Sequence, residues 1–325
     1  MAIIQYLLVT LILFAGLLLY FSIAKKYNII DKPNERSSHT DNTIRGGGVV
    51  FFLAGLLYST SHLPESLFFL SGLTLISIVS FWDDVSSLPN RVRITVHFLS
   101  VSLIFYGSEL FSMLPWWLII VAYIFSAGVL NAYNFMDGIN GITGLCSLAV
   151  LISLRYVNSL IEYTNAVFID YAILACIVFL FFNYRKKAKC FAGDVGSMAI
   201  SFWIISLLLQ LMITTGSLVW ILFLMVYGVD SVSTILHRLY LKQNIFKSHR
   251  LHFYQILSNE RGISQLIVSA IYAFTQLLMC GIVVYTYFSC SPIVTWISGT
   301  ILFIILCIIY MQKFRIMKLQ KVVQT

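Results

Sequence analysis

The chain has 325 residues, of which 59% are hydrophobic and only 10% charged, and its formal net charge is +8. That composition excludes a soluble globular domain and makes the chain a polytopic membrane protein. Six cysteines with no Cys-x-x-Cys pair, and no histidines nearby at metal-ligand spacing, support neither a disulfide framework nor a zinc site.

Apolar runs long enough to cross a hydrocarbon core of roughly 30 Å recur along the chain and predict an all-α fold with about eleven transmembrane helices. The first run, about 2–24, has no basic residue ahead of it and no small-residue cleavage signal behind it, and Lys25 and Lys26 follow directly. It reads as a retained helix whose C-terminal end faces the cytoplasm. Further runs at about 47–63, 66–82, 92–107, 114–130, 144–161, 165–184, 197–213, 217–234, 263–289 and 293–312 then alternate from an outside N-terminus to a cytoplasmic C-terminus. With Arg93 at the margin of one run, the inner segments 25–46, 83–91, 131–143, 185–196, 235–262 and the tail from 313 hold every Lys and Arg except Arg155. The positive charge therefore expresses topology and gives no ground for a nucleic-acid partner. No internal repeat, low-complexity stretch or linker divides the chain, so residues 1–325 read as one domain.

The inner segments carry the chemistry. In the first, KPNERSSHTDNTIRGGG (32–48), Gly46, Gly47 and Gly48 open the second helix. Their N–H groups either favour an anion or the glycines permit close helix packing, and the spacing does not decide between these. The second, FWDDVSSLPNRVR (81–93), sets Asp83 beside Asp84, with Arg91 and Arg93 close behind. Burying adjacent carboxylates costs several kcal/mol unless a cation compensates, which suits a metal or acid–base site for a phosphorylated substrate. A solvated capping loop is the plain alternative. In the third, NAYNFMDGINGIT (131–143), Asn131, Asn134, Asp137 and Asn140 recur every three residues, one polar stripe if the stretch is helical. Their oxygens are hard ligands suited to magnesium; the alternative is a helix–turn–helix with Asx caps. The fourth, RKKAKCFAGDVGS (185–197), places Asp194 between Gly193 and Gly196 as a helix cap or a metal ligand. The last contains KSHRLHFYQ (247–255), where His249, Arg250 and His252 beside Lys247 would suit a diphosphate, or an interfacial basic helix. Asp170, His97 and His62 stand alone without a role, and Asp230 either closes a polar pocket or caps its helix.

Taken in order, PNERSSH with RGGG, the Asp pair, NAYNFMDGINGI, FAGDVGS and HRLHFYQ, separated by hydrophobic helices, closely resemble the polyprenyl-phosphate N-acetylhexosamine-1-phosphate transferases of bacteria, the MraY/WecA family. The resemblance spans about residues 32–255, and the HRLHFYQ form looks more like the O-antigen branch than the peptidoglycan branch. It implies an enzyme of the bacterial inner membrane in which undecaprenyl phosphate attacks the β-phosphorus of a UDP-N-acetylhexosamine, giving undecaprenyl-diphospho-sugar and UMP. It further implies that Asn134 and Asp194 hold Mg²⁺, with Mn²⁺ as a substitute, and that Asp83 or Asp84 deprotonates or orients the lipid phosphate. Asp137 joins them among the catalytic carboxylates, and Arg93 contacts phosphate. His249, Arg250 and His252 bind the diphosphate or sugar, while Phe191 stacks on uracil with Asn140 and Asn183 as its polar contacts. The sequence leaves a homodimer open. Two departures stand out: the first loop reads DNTIRGGG where relatives usually have prolines, and the histidine loop lacks a run of three histidines, which speaks against a muramyl-peptide sugar. The rival reading is a transporter or flippase for a phosphorylated lipid, which would be expected to show repeat-related halves with broken helices.

Overall fold

A backbone in hydrocarbon must satisfy its own hydrogen bonds, so each apolar run becomes a helix. The computed structural model describes residues 2–31, 42–244 and 250–323. In chain order the elements are α1 (Ala2–Lys26), β1 (Ile30–Asp31), β2 (Thr43–Ile44), α2 (Val49–Ser61), α3 (Leu63–Val85), α4 (Asn90–Gly107), α5 (Leu110–Met113), α6 (Trp116–Met136) and α7 (Ile142–Ile161). Then come α8 (Ala166–Asn183), α9 (Gly193–Thr215), a 3₁₀ stretch (Leu218–Leu224) that runs into α10 (Met225–Tyr240), the short α11 (Phe253–Gln255), α12 (Gln265–Ser289) and α13 (Pro292–Val323).

Among the described residues nine helices are long and apolar enough to cross a membrane, against the eleven expected. All eleven expected runs are helical, but two fall short for physical reasons. The 13 residues of α2 span only about 20 Å, and the first turn of α4 carries Arg91 and Arg93. Turn residues set the boundaries: Pro64, Pro115 and Pro292 stand at helix starts, and the Asn165 side chain accepts the Val167 N–H at 3.0 Å to cap α8.

The centre of the bundle is α9, buried along 83% of its apolar window where α6 is buried along 22%. It packs against α2, α3, α6 and α7, and an aromatic cluster of Phe69, Phe168, Phe202 and Trp203 fills the gap on the α3 side. At the end away from the Asp pair, Asp170 is not alone: it accepts from Arg155 Nε at 2.9 Å and from the Tyr6 hydroxyl at 2.7 Å, tying α1, α7 and α8 together. At the other end, β1 and β2 pair antiparallel, Ile30 opposite Ile44 and Asp31 opposite Thr43. Ile44 also bridges Cys190 in parallel, so the first inner loop is hydrogen-bonded to the fourth.

Candidate functional site

Asp83 and Asp84 sit on the last turn of α3, and their two side chains do different work. Asp84 is 8% exposed; its Oδ1 accepts the Asp194 N–H at 2.9 Å and its Oδ2 the Val195 N–H at 3.0 Å. Those donors belong to the first turn of α9 and have no partner within their own helix, so Asp84 caps a neighbouring helix and fixes where Asp194 stands. Gly193 allows the approach: its φ is +72°, and a Cβ there would lie 2.5 Å from Asp84 Oδ2. Asp83 accepts the Leu88 N–H at 2.7 Å and pairs with Arg93 Nη1 at 3.0 Å.

Two guanidinium groups and an amide complete the pocket. Arg45 Nε is 2.6 Å from Asp84 Oδ1, and its Nη2 is 3.6 Å from Asp194 Oδ1. Arg93 Nη2 is 3.7 Å from Asp194 Oδ2, and Asn134 Nδ2 donates to Asp194 Oδ1 at 3.0 Å. The sequence motifs of the first four inner segments thus meet around Asp194. Arg45 has no place among the residues singled out from the sequence, although it stands in the quoted RGGG run. Of the three glycines after it, Gly47 and Gly48 donate their N–H groups to Phe191 O at 2.8 Å and Ala192 O at 3.0 Å. A Cβ on Gly48 would fall 2.1 Å from Gly196 Cα. Close backbone packing, rather than anion binding by free N–H groups, is what those glycines do.

The third segment is not one helical stripe. Helix α6 ends at Met136, and the chain turns through Gly138 and Gly141, whose φ is +89°. Asn131 is exposed and donates back to Ala127 O at 2.8 Å, so only Asn134 faces Asp194. Asp137, half-buried at the end of α6, accepts the Thr143 hydroxyl at 2.7 Å. Burial pushes its carboxyl up to about 7; Thr143 and Arg45 oppose that shift, and Asp194 adds to it.

Asn140 turns into a basic cleft of roughly 1070 Å³ lined by Phe191, Arg185, Lys186, Lys189 and Gln265. Its Nδ2 donates to Arg185 O at 2.8 Å, and its own N–H donates to Gln265 Oε1 at 3.1 Å. Phe191 is held by its backbone, its N–H donating to Ile44 O at 2.8 Å. Asn183 stands behind this wall. Its Oδ1 accepts the Gly141 N–H at 2.7 Å and its Nδ2 donates to Cys190 O at 2.8 Å, so its polar atoms serve the two loops.

In the last segment His252 is 1% exposed and its Nδ1 lies 3.2 Å from Asp230 Oδ1. Asp230 also accepts the N–H of Phe253 at 3.0 Å and of Tyr254 at 3.4 Å, so it caps α11 rather than its own helix. Tyr254 reaches across to donate to Phe135 O at 3.0 Å, which seats the histidine loop against the third segment beside Asn134. Arg250 is half-buried at the start of that loop. His249 and the PNERSSH motif lie outside the described residues.

The donor set around Asp194 fits a hard divalent cation. Asp83 comes within hydrogen-bonding reach of Asp194, and Asp194's two arginine partners stand at 3.6 and 3.7 Å, too far for direct hydrogen bonds. Magnesium typically takes one or two carboxylates and leaves its other positions to water and phosphate oxygens. Asn134 can offer its amide oxygen after a flip that exchanges its O and N atoms. Among the described residues no group of three or more His, Cys, Asp or Glu is placed to hold a metal, so any cation here relies on few protein ligands.

Residues 66–212 match the family model described as glycosyl transferase family 4. The chain is 23% identical to an undecaprenyl-phosphate alpha-N-acetylglucosaminyl 1-phosphate transferase of Escherichia coli K12, over 77% of this chain and 75% of that one. It is 28% identical to a probable undecaprenyl-phosphate N-acetylglucosaminyl 1-phosphate transferase of Bacillus subtilis, over 89% and 84% respectively. A phospho-N-acetylmuramoyl-pentapeptide-transferase of Fervidobacterium nodosum is 29% identical over 61% of this chain and 68% of its own.

Proposed function

We propose that the chain is a member of glycosyl transferase family 4, whose model matches residues 66–212, and that it transfers a sugar 1-phosphate to undecaprenyl phosphate. The donor in this reading is a UDP-N-acetylhexosamine, the products are undecaprenyl-diphospho-sugar and UMP, and the reaction starts a surface polysaccharide such as O-antigen in the bacterial inner membrane. What carries the reading is the convergence of Arg45, Asp84, Arg93, Asn134 and Asp194 at one end of the bundle.

An oxygen of the lipid phosphate attacks the β-phosphorus of the donor, a new P–O bond forms, and the β-phosphorus separates from the oxygen that leaves with UMP. Both reactants are anions, so bringing them together requires fixed positive charge and alignment. Arg93 and Arg45 supply donors and alignment from two sides, but Asp83, Asp84 and Asp194 balance their charges, so net positive charge would come from a bound cation. A Mg²⁺ held by Asp194 and Asn134 would offset the diphosphate charge there. Both oxygens of Asp84 are engaged in holding Asp194 and Arg45, so it acts by positioning. The lipid phosphate needs no strong base, because its second pKa is about 6. In the cleft beside this pocket Phe191 offers a face for the uracil ring, with Asn140 beside it and Asn183 bracing the wall. Arg250, with His252 behind it, faces the diphosphate or sugar.

The test uses membranes that contain the protein, undecaprenyl phosphate, Mg²⁺ and a panel of UDP-N-acetyl sugars carrying label in the sugar. Label should move into a lipid-extractable product and chelation of the metal should stop it. A protein that moves lipid across the bilayer without converting any labelled donor would instead be the transporter.

A further inference from the structure

Helix α13 lies beyond the residues matched by the family model, yet it carries a lysine with 0% exposure. A lysine that only anchors a helix end runs its stem along the apolar surface and leaves its ammonium in water. Lys313 does the reverse. Its Nζ donates to the Tyr310 hydroxyl at 2.6 Å and stands 4.7 Å from that ring's centroid and 5.9 Å from Phe314's. The Tyr310 hydroxyl is 2.9 Å from Thr234 Oγ1, which is 3.2 Å from Asp230 Oδ1; the other acceptor near Thr234, Leu251 O, is farther at 3.5 Å.

The direction of this chain is fixed by its ends. An ammonium can only donate and an ionised carboxylate can only accept. The two hydroxyls between them must therefore each accept from the Lys313 side and donate toward Asp230, a run of aligned hydrogen bonds from a buried cation to a buried anion. Asp230 in turn receives the Tyr272 hydroxyl at 2.7 Å and, as above, His252 and the first N–H groups of α11. A buried charge is retained where it is compensated, and this line of contacts is how α13 compensates a carboxylate that organises the histidine loop.

We infer that Lys313 is a positioning residue. Through Tyr310, Thr234 and Asp230 it holds the segment from His252 to Gln255 against Phe135 and so fixes one wall of the site. What that wall does for catalysis rests on the transferase reading; how it is held does not.

The experiment uses the full chain in lipid nanodiscs and three variants: Lys313→Met, Tyr310→Phe and the two combined. Amide hydrogen exchange over residues 252–256 reads the brace directly, because the Phe253 and Tyr254 N–H groups are the ones Asp230 accepts. Each single variant should speed exchange there about tenfold while the first half of α9 is unchanged, and the double should be no faster than Lys313→Met alone. In the transfer assay the KM for the nucleotide sugar should rise several-fold and that for undecaprenyl phosphate stay within about twofold. Unchanged exchange over 252–256, an equal rise along every helix, additive effects in the double variant, or equal rises in both KM values would overturn the assignment. If the wild-type protein makes no lipid-linked sugar, the transferase reading fails, and the exchange data still decide whether the brace exists.

Discussion

At the scale of single residues the carboxylates of the pocket are not interchangeable. Asp194 is the one reached by Asn134 and by both arginines. Replacing it with Asn should lower transfer by about a hundredfold or more, the usual loss when one electrostatic partner is taken from such a site, with melting temperature and insertion unchanged. A folded Asp194→Asn variant with wild-type turnover would count decisively against the pocket. Asp84 should behave differently. Asp84→Ala strands two N–H groups of α9 and the Arg45 guanidinium, and breaking such a pair costs about 3 kcal/mol, towards the low end because Arg45 keeps 34% of its side chain exposed. The expected result is a melting temperature lower by several degrees together with the loss of activity, and a loss of activity alone would make Asp84 a participant rather than a support. These distinct roles are not legible in the sequence. Two adjacent aspartates announce a site, but which of them caps α9 depends on how the end of α3 meets the start of a helix about 110 residues later. Asp230 escaped assignment for the same reason, since its partners come from the following loop and from α12. Arg155 and Asp170 gave more warning. Each breaks the pattern of its surroundings, and they face each other across a single helical hairpin.

At the scale of elements, hydropathy alone placed the long helices, because a hydrocarbon environment leaves the backbone one economical choice. Hydropathy says nothing of how helix ends dock, and that is where glycine matters. Gly48→Ala should prevent the start of α2 from seating on α9, since the added methyl would lie 2.1 Å from Gly196 Cα. Little folded protein should survive gel filtration. Gly128→Ala is the control: nothing lies within 4 Å of a Cβ there, and a mid-helix Gly replaced by Ala should gain about 0.5–1 kcal/mol. Equal behaviour of the two variants in a thermal melt would show that the α2–α9 contact is not close-packed. The break of α6 at Met136 was written in the sequence as Gly138 and Gly141, but the three-residue spacing of polar groups across it suggested a stripe that the turn dissolves.

At the scale of the whole molecule, the candidate site sits at one end and the opposite end is held by the Arg155–Asp170–Tyr6 contacts. From the distribution of Lys and Arg, the positive-inside rule predicts that the end with the candidate site faces the cytoplasm. Cys290, exposed in the turn between α12 and α13, lies at the far end of α12 from the cleft residue Gln265. A membrane-impermeant maleimide should therefore label Cys290 in intact cells, and labelling that appears only after permeabilisation would invert the orientation. The parallel bridge between Ile44 and Cys190 also bears on biogenesis. The two halves of that bridge leave the ribosome far apart in time, so early helices must wait in the bilayer with Asp84 lacking the backbone donors it will later cap. Nascent chains stalled before the start of α9 should be the ones that quality-control proteases recognise, whereas chains stalled just after α9 already hold Arg45, Asp84, Arg93, Asn134 and Asp194 together and await α10 to α13.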